Sequence, residues 1–334
     1  MNKIIKIAVD AMGGDGSPKK VIDGIIHHFK NNKNSFYQIF GDKDKILPHI
    51  KDDLSDTSFE IIHTVDIVKG TDSPLEGAKR GKNTSMWLAI QSVKEKKSDV
   101  VISAGNTGAL LVISKLNLKM IENIDKPALS ALWPNKKGMS VVLDLGANIE
   151  CNPKNLIDFS IMGSSLFRSL YPNDDAKVAL LNIGSEELKG NEIIKETYQI
   201  LNQRQNVDFE FKGYIEGNQL MNGDVNVIVA DGFTGNVALK TAEGTANFIT
   251  SELKKAMTGN IIGKISSLLN ISNLKKFKAR LDPRLYNGAI FIGLDHPVIK
   301  SHGGTDYIGF SNSLSVCTKT VSGDLIEKIR NNIN

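Results

Sequence analysis

Apolar and polar positions alternate with two periods along this chain. Short β-branched runs read as strands, and longer stretches with apolar residues every three or four positions read as helices. The first run, Ile4 to Val9, stops at Asp10, and Gly13, Gly14 and Gly16 follow. Ser17 is placed to cap a helix with Pro18 in its first turn. Val21, Ile22, Ile25, Ile26 and Phe29 then share one helical face. Further strands are predicted at Phe36–Phe40, Phe59–His63, Asp99–Ser103, Met139–Leu145, Lys177–Ile183, Val225–Ala230 and Val298–Lys300. Helices are predicted from Pro74, from Gly108 through Ile113, and from Pro153 to about Tyr171. Strands alternating with helices imply a mostly parallel sheet covered on both faces.

Six of these strands end in loops that combine glycine with Asp, Asn, Ser, Thr or His. They are the loops at Asp10–Gly16, Ala104–Gly108, Gly146–Asn148, Gly184–Asn191, Asp231–Asn236 and Ser301–Asp306. In an open parallel sheet the carboxyl ends share one edge, and ligands bind in the crevice there. The six loops are therefore expected to converge on one anion-handling cleft. Each loop alone is ordinary turn chemistry. The first also has a plain structural reading as a strand-to-helix turn.

Nucleotide motifs do not account for these glycines. The first loop reads G-G-x-G rather than G-x-G-x-x-G, with no carboxylate near Lys30–Asn34. Three residues, not four, separate Gly77 from Gly81-Lys82 and Gly259 from Gly263-Lys264, so no P-loop is formed. The histidines are scattered and no C-x-x-C or H-E-x-x-H occurs, so no metal site is expected. Ser103 before Gly105 is not a nucleophile elbow, and Cys151 reads as a packed thiol. The remaining chemistry is a transfer in which a bound anion is the nucleophile, with the protein positioning it and stabilising charge.

Composition narrows the classes further. With 334 residues, 41% hydrophobic, the chain can bury a large core, and a single large domain over 1–334 is expected. Two distant cysteines suggest no disulfide framework and fit a reducing cytosol. Lys3 and Lys6 interrupt the short apolar start, so no signal peptide is expected. No run approaches a membrane span. A net charge of +4 does not by itself call for nucleic acid. Lys79, Arg80 and Lys82 lie close together, either as a solvated face or as a docking spot for an acidic partner.

The stretch 253–281 departs from the rest. It carries Lys254, Lys255, Lys264, Lys275, Lys276, Lys278 and Arg280 with no Asp or Glu between Leu253 and Leu281. Ile261, Ile265, Leu268 and Leu269 fall on one helical face, with breaks expected at Gly259 and at Asn270–Asn273. A basic amphipathic helical pair suits an anionic membrane surface. Its charges also suit an acidic carrier protein, and its apolar face a dimer seam.

Several motifs together resemble one family. Ile7–Asp15 (IAVDAMGGD), Ser103–Ala109 (SAGNTGA), Leu143–Asn148 with Cys151 and Pro153, Leu181–Gly184 with Glu187 and Lys189–Glu192, and Asp231–Asn236 (DGFTGN) are similar to the bacterial phosphate acyltransferases, the PlsX family. Leu281-Asp282, Gly288-Ala289 and His302-Gly303 continue the likeness in the family's order. Gly16-Ser17, Asp295-His296 and Gly304-Thr305 depart from it.

The resemblance implies attack of inorganic phosphate on an acyl carrier protein thioester, with no cofactor, giving acyl phosphate for phospholipid synthesis. It further implies a homodimer feeding a membrane glycerol-3-phosphate acyltransferase; with the cysteine usage and the basic stretch at 253–281, a cytoplasmic, peripherally membrane-associated protein is expected. The implied fold is a three-layer α/β/α architecture with a mostly parallel Rossmann-like sheet, as in phosphotransacetylases and isocitrate-type dehydrogenases. Lys189 then suits phosphate and a developing oxyanion. Asp10, Asp15, Asp144 and Asp231 would orient it or accept loop N–H groups, with one of them, Asp231, as a candidate base, and His302 would protonate the leaving thiolate or merely cap a helix. Asp10, Gly13, Gly14, Asp15, Asn106, Thr107, Gly108, Asp144, Asn148, Asn191, Gly235 and Asn236 are the expected substrate-binding positions. Lys264, Leu268, Leu269, Lys275 and Lys276 are the expected membrane or carrier surface. An oxidoreductase on the same sheet would need a nicotinamide site that the first loop lacks, and a non-enzymatic scaffold would not need so many polar loops.

Overall fold

A computed structural model describes residues 4–50, 54–204 and 208–333; Lys3 lies outside them. Its strands are β1 (Ile5–Asp10), β2 (Ser35–Gly41), β3 (Phe59–His63), β4 (Val100–Ser103), β5 (Ala128–Pro134), β6 (Met139–Leu143), β7 (Lys177–Asn182), β8 (Glu210–Glu216), β9 (Val227–Val229), β10 (Ala289–Ile292) and β11 (Val298–Lys300). The helices are α1 (Lys19–Asn31), α2 (Lys43–Ile46), α3 (Pro74–Lys79), α4 (Ser85–Lys94), α5 (Thr107–Asn117), α6 (Pro153–Leu170), α7 (Glu192–Gln203), α8 (Gly232–Thr258), α9 (Ile261–Leu269), α10 (Ile271–Arg280), α11 (Tyr307–Ser322) and α12 (Leu325–Ile333).

The strands form one sheet in the order β3-β2-β1-β4-β11-β10-β5-β6-β9-β7-β8. Alternation along β1 shows how its two faces are covered. Ile5, Ile7 and Val9 pack with Val21, Ile22 and Ile25 of α1 and Phe310 of α11. Ala8 faces the other way, among Met86 and Ile90 of α4 and Leu110 of α5. The three-layer architecture therefore follows from period-two burial in the strands. A third cluster, with Trp133, Val142, Leu145 and Ile215, lies beneath the start of α8.

The sheet is not uniformly parallel. β10 pairs antiparallel with both β11 and β5, and β5 pairs antiparallel with β6. β6, β9, β7 and β8 then run parallel to one another. Three successive reversals leave this second half antiparallel to β1, β4 and β11. Its strand carboxyl ends consequently lie on the opposite edge of the sheet. The expected convergence of all six loops on one cleft within one chain is thus corrected. The two reversing strands were not among those predicted. Ala128–Pro134 has no β-branched residue and ends in Pro, and Ala289–Ile292 has only four residues.

Two local expectations change as well. Ser17 does not cap α1; the turn through Gly14 (φ +83°) and Gly16 (φ +70°) sends its hydroxyl back to donate to Gly13 O at 2.6 Å. The region 253–281 belongs to three helices, with α10 starting at Ile271, so Ser272 and Asn273 are helical rather than a break. Arg80 of the basic trio forms a two-pronged pair with Asp72. Among the described residues, no helix is long and apolar enough to cross a membrane.

Candidate active site

The first edge gathers the loops after β1, β4 and β11. Asp10 ends β1, with a buried carboxylate that accepts from Ser85 Oγ at 2.7 Å, Ser103 Oγ at 2.6 Å and Met12 N at 3.3 Å. Burial pushes its pKa up, and the serine hydroxyls pull against that shift. The neighbouring loops touch backbone to backbone. A Cβ on Gly13 would stand 2.6 Å from Gly105 N, and one on Gly14 would stand 2.8 Å from Ala104 O. Only glycine permits that approach. Asp15 N donates to Gly303 O at 3.0 Å, and its side chain lies exposed on the rim.

His302 belongs to this edge. Its backbone N–H donates to Asn287 Oδ1 at 2.9 Å, and its exposed ring accepts at Nδ1 from Gly304 N at 3.1 Å. Asn106 is a frame residue. It caps α5 by accepting from Ala109 N, while its Nδ2 donates to Gly70 O and Asp72 O. Thr107 is exposed and Gly108 half-buried at the head of α5. Two further groups at this edge were missed by sequence reasoning: Lys20 of α1 and Lys300 of β11, both buried. Lys20 Nζ donates to Gly303 O at 2.6 Å, and Lys300 Nζ donates to Ser301 O.

The second edge gathers the loops after β6, β7 and β9. The fully buried Asp144 knits it together. Its Oδ1 accepts from the N–H groups of Leu129, Gly146 and Ala147, and its Oδ2 from both nitrogens of Asn148. Burial raises its pKa while these donors oppose the rise. Asn148 Nδ2 also donates to Pro127 O, so its amide is engaged by protein. α8 starts directly against this loop, because a Cβ on Gly235 would lie 1.9 Å from Asp144 O. Asp231 caps α8, accepting from Thr234 N at 2.8 Å and Thr234 Oγ1 at 2.9 Å.

Lys189 lies in the adjacent loop, exposed, just before Asn191 caps α7. Asn182 Nδ2 donates to Lys189 O at 3.2 Å, and at Gly190 (φ +92°) a Cβ would lie 2.5 Å from Asn182 Oδ1. Asn236 is exposed beside Gly146. Around them stand exposed apolar side chains: Ile183 (81%), Leu188 (87%), Phe233 (64%) and Val237. The expected catalytic trio is therefore divided. Lys189 and Asp231 share the second edge, while His302 is on the first, because β10 and β5 reverse the sheet between them.

Cys151 is buried, and burial lifts its thiol to about 11, which suits packing rather than nucleophilic attack. Among the described residues of the α8–α10 arm only Gly232 and Gly235 are buried, and Ile261, Ile262, Ile265, Leu268 and Leu269 are all exposed.

An eleven-stranded α/β sheet whose strand ends carry glycine-rich polar loops defines the phosphotransacetylase type of fold. The chain superposes on the EutD phosphotransacetylase from Staphylococcus aureus with a TM-score of 0.62 at 15% identity, covering 95% of this chain and 94% of that one. A phosphotransacetylase from Streptococcus pyogenes gives the same TM-score over 98% of this chain and 95% of that one. At the level of sequence, the fatty acid synthesis protein family model matches residues 5–328. A phosphate acyltransferase from Pelagibacter ubique is 88% identical over 333 residues, covering 100% of both chains. The phosphate acyltransferase from Rhodospirillum rubrum is 43% identical, covering 100% of this chain and 95% of its own length. The chain belongs to the fatty acid synthesis protein family.

Proposed function

We propose that this protein is a phosphate acyltransferase that moves a fatty acyl group from an acyl carrier protein thioester to inorganic phosphate. The observation that carries this reading is the 88% identity, end to end, with a protein of that name. In the reaction a phosphate oxygen attacks the thioester carbonyl carbon, the carbonyl oxygen takes up negative charge, and the C–S bond then breaks. Acyl phosphate and the free carrier thiol result. The acyl phosphate serves phospholipid synthesis by reacting onward at a membrane glycerol-3-phosphate acyltransferase. No cofactor enters the reaction so written.

The second edge suits the acyl thioester. Lys189 is a compact cation for the developing oxyanion, Asn191 and Asn236 are amide donors on the same edge, and Asp231 fixes the head of α8. The exposed apolar collar suits a fatty chain. The first edge, with its glycine loops and His302, suits an anion and a proton donor. Because the edges are opposed within one chain, a homodimer is the assembly that brings the first edge of one copy against the second edge of another. A two-fold axis would then create two equal sites.

The arm's Lys264, Lys275 and Lys276, with Leu268 and Leu269, are proposed to meet an anionic membrane surface from the cytoplasm. An acidic carrier protein is the competing occupant of the same charges. The reading is tested by incubating the protein with acyl carrier protein thioester, with and without phosphate, and measuring free thiol. Thiol should appear only with phosphate and persist in the presence of a chelator. Release without phosphate would overturn the reading.

A further inference from the structure

Lys20 and Lys300 are each only 8% exposed, although lysine is among the residues least often buried. Neither ammonium has a carboxylate within 4.0 Å among the described residues. Each instead donates to a carbonyl of the same short loop, Ser301 O for Lys300 and Gly303 O for Lys20. A carbonyl is a dipole and does not neutralise a charge. Burial lowers both lysines, Lys300 to about 8, and the Lys20 cation adds to the lowering of Lys300.

Two carboxylates are near enough to be felt, Asp10 at Lys300 and Asp15 at Lys20. The first is already committed to two serine hydroxyls and a backbone N–H, and the second is exposed to water on the rim. Paired buried cations with neutral first partners are costly unless a charge of opposite sign comes to them.

The position of the pair points to what that charge is. β1 continues into β2 on one side and is flanked by β4 on the other, so the chain order reverses at this place in the sheet. Ligands of open α/β sheets bind in the crevice outside such a reversal. The loops on either side meet through Gly13, Gly14, Gly105 and Gly303, with no side chain between backbones.

We propose that Lys20 and Lys300 form the cationic clamp that binds the phosphate nucleophile at the first edge. This rests on the reading that inorganic phosphate is the acyl acceptor. Lysine suits the task as a point charge with three donors. Lys189, on the opposite edge of the same chain, then acts on the thioester and not on free phosphate.

The test titrates inorganic phosphate into wild type, Lys20→Gln, Lys20→Arg, Lys300→Gln and Lys189→Ala, read by ³¹P line broadening and by the phosphate-induced rise in Tm. Loss of one charged donor should weaken phosphate on the order of ten- to a hundredfold in Lys20→Gln and Lys300→Gln. Lys20→Arg should recover part of the loss, and Lys189→Ala should bind as wild type does. Two lysine variants guard against one failing to fold. Wild-type phosphate affinity in either folded Gln variant overturns the clamp. So does a rise confined to KM for the carrier thioester, since the pocket would then hold the carrier's phosphodiester. If wild type itself releases no thiol in response to phosphate, the acyltransferase reading falls instead.

Discussion

His28 offers a quantitative check on the packing of α1 against the sheet. It is 1% exposed, its Nδ1 is 2.7 Å from the Tyr37 hydroxyl, and its Nε2 is buried with no partner among the described residues. Burial, with the neighbouring His27 charge adding to it, lowers its pKa from 6.5 to about 4. In the unfolded chain the ring takes up a proton near 6.5, whereas in the folded chain it does so only near 4. Protons then bind preferentially to the unfolded state between those values, so stability falls as pH drops through that window. A separation of roughly 2.5 units is worth about 3 kcal/mol at 1.36 kcal/mol per unit. The perturbation is His28→Gln, which cannot titrate. Urea unfolding at about pH 7.5 and about pH 4 gives the stability difference between the two proteins. Other groups, including the up-shifted Asp10 and Asp144, are common to both and cancel. The wild-type advantage should shrink by about 3 kcal/mol on acidification. Equal pH dependence in the two proteins would show that His28 is not held neutral, and the packing argument would fail.

Lys189→Ala should lower turnover on the order of 10²–10³-fold with the fold intact, as measured by thiol release, and near-normal turnover would remove Lys189 from the chemistry. Cys151→Ser should remain active in the same assay, since the raised thiol pKa argues against an acyl-cysteine; a folded but dead variant would reopen covalent catalysis. Wild type should float with anionic liposomes at low salt and be released at high salt. Leu268→Glu combined with Leu269→Glu should abolish flotation while keeping soluble activity, because both side chains are exposed; wild type that ignores the vesicles sinks the membrane assignment.

Much of the first half of the sheet was legible because its strands are β-branched and end in glycine. Val100–Ser103 and Ile5–Asp10 could hardly be read otherwise. β5 was not legible. Its alternation of buried and half-buried positions is carried by Ala, Ser and Leu, which have no strong strand preference. The error about the cleft followed from the omission of β5 and of the four-residue β10, since strand direction is a property of the whole sheet and not of any loop. Site residues show the same division. Asp10, Asp144 and Asp231 stood out as polar groups at strand ends with the holding of loop N–H groups among their expected roles, and in the structure all three hold loop and cap groups in place. Lys20 and Lys300 looked like ordinary helix and strand lysines, because burial of a charged residue is decided by tertiary packing that no local pattern records.

Opposed edges within one chain lead to a test of the dimer. If each active site combines the first edge of one copy with the second edge of another, Lys20→Gln disables the first contribution and Lys189→Ala the second. A homodimer of either variant has two impaired sites. In a mixed dimer the two lesions fall together in one site, and the other site is built wholly from wild-type edges. Random exchange of equal amounts makes about half of the dimers mixed, each with one intact site, so about a quarter of wild-type turnover should return. The assay is phosphate-dependent thiol release after subunit exchange, with native mass spectrometry on differently tagged copies to show that mixed dimers formed. Were each site contained in one chain, every subunit would still carry a lesion and mixing would restore nothing. Recovery near a quarter therefore separates the two arrangements. Proven exchange without recovery would return both edges to a single chain and require a cleft that the strand directions do not provide.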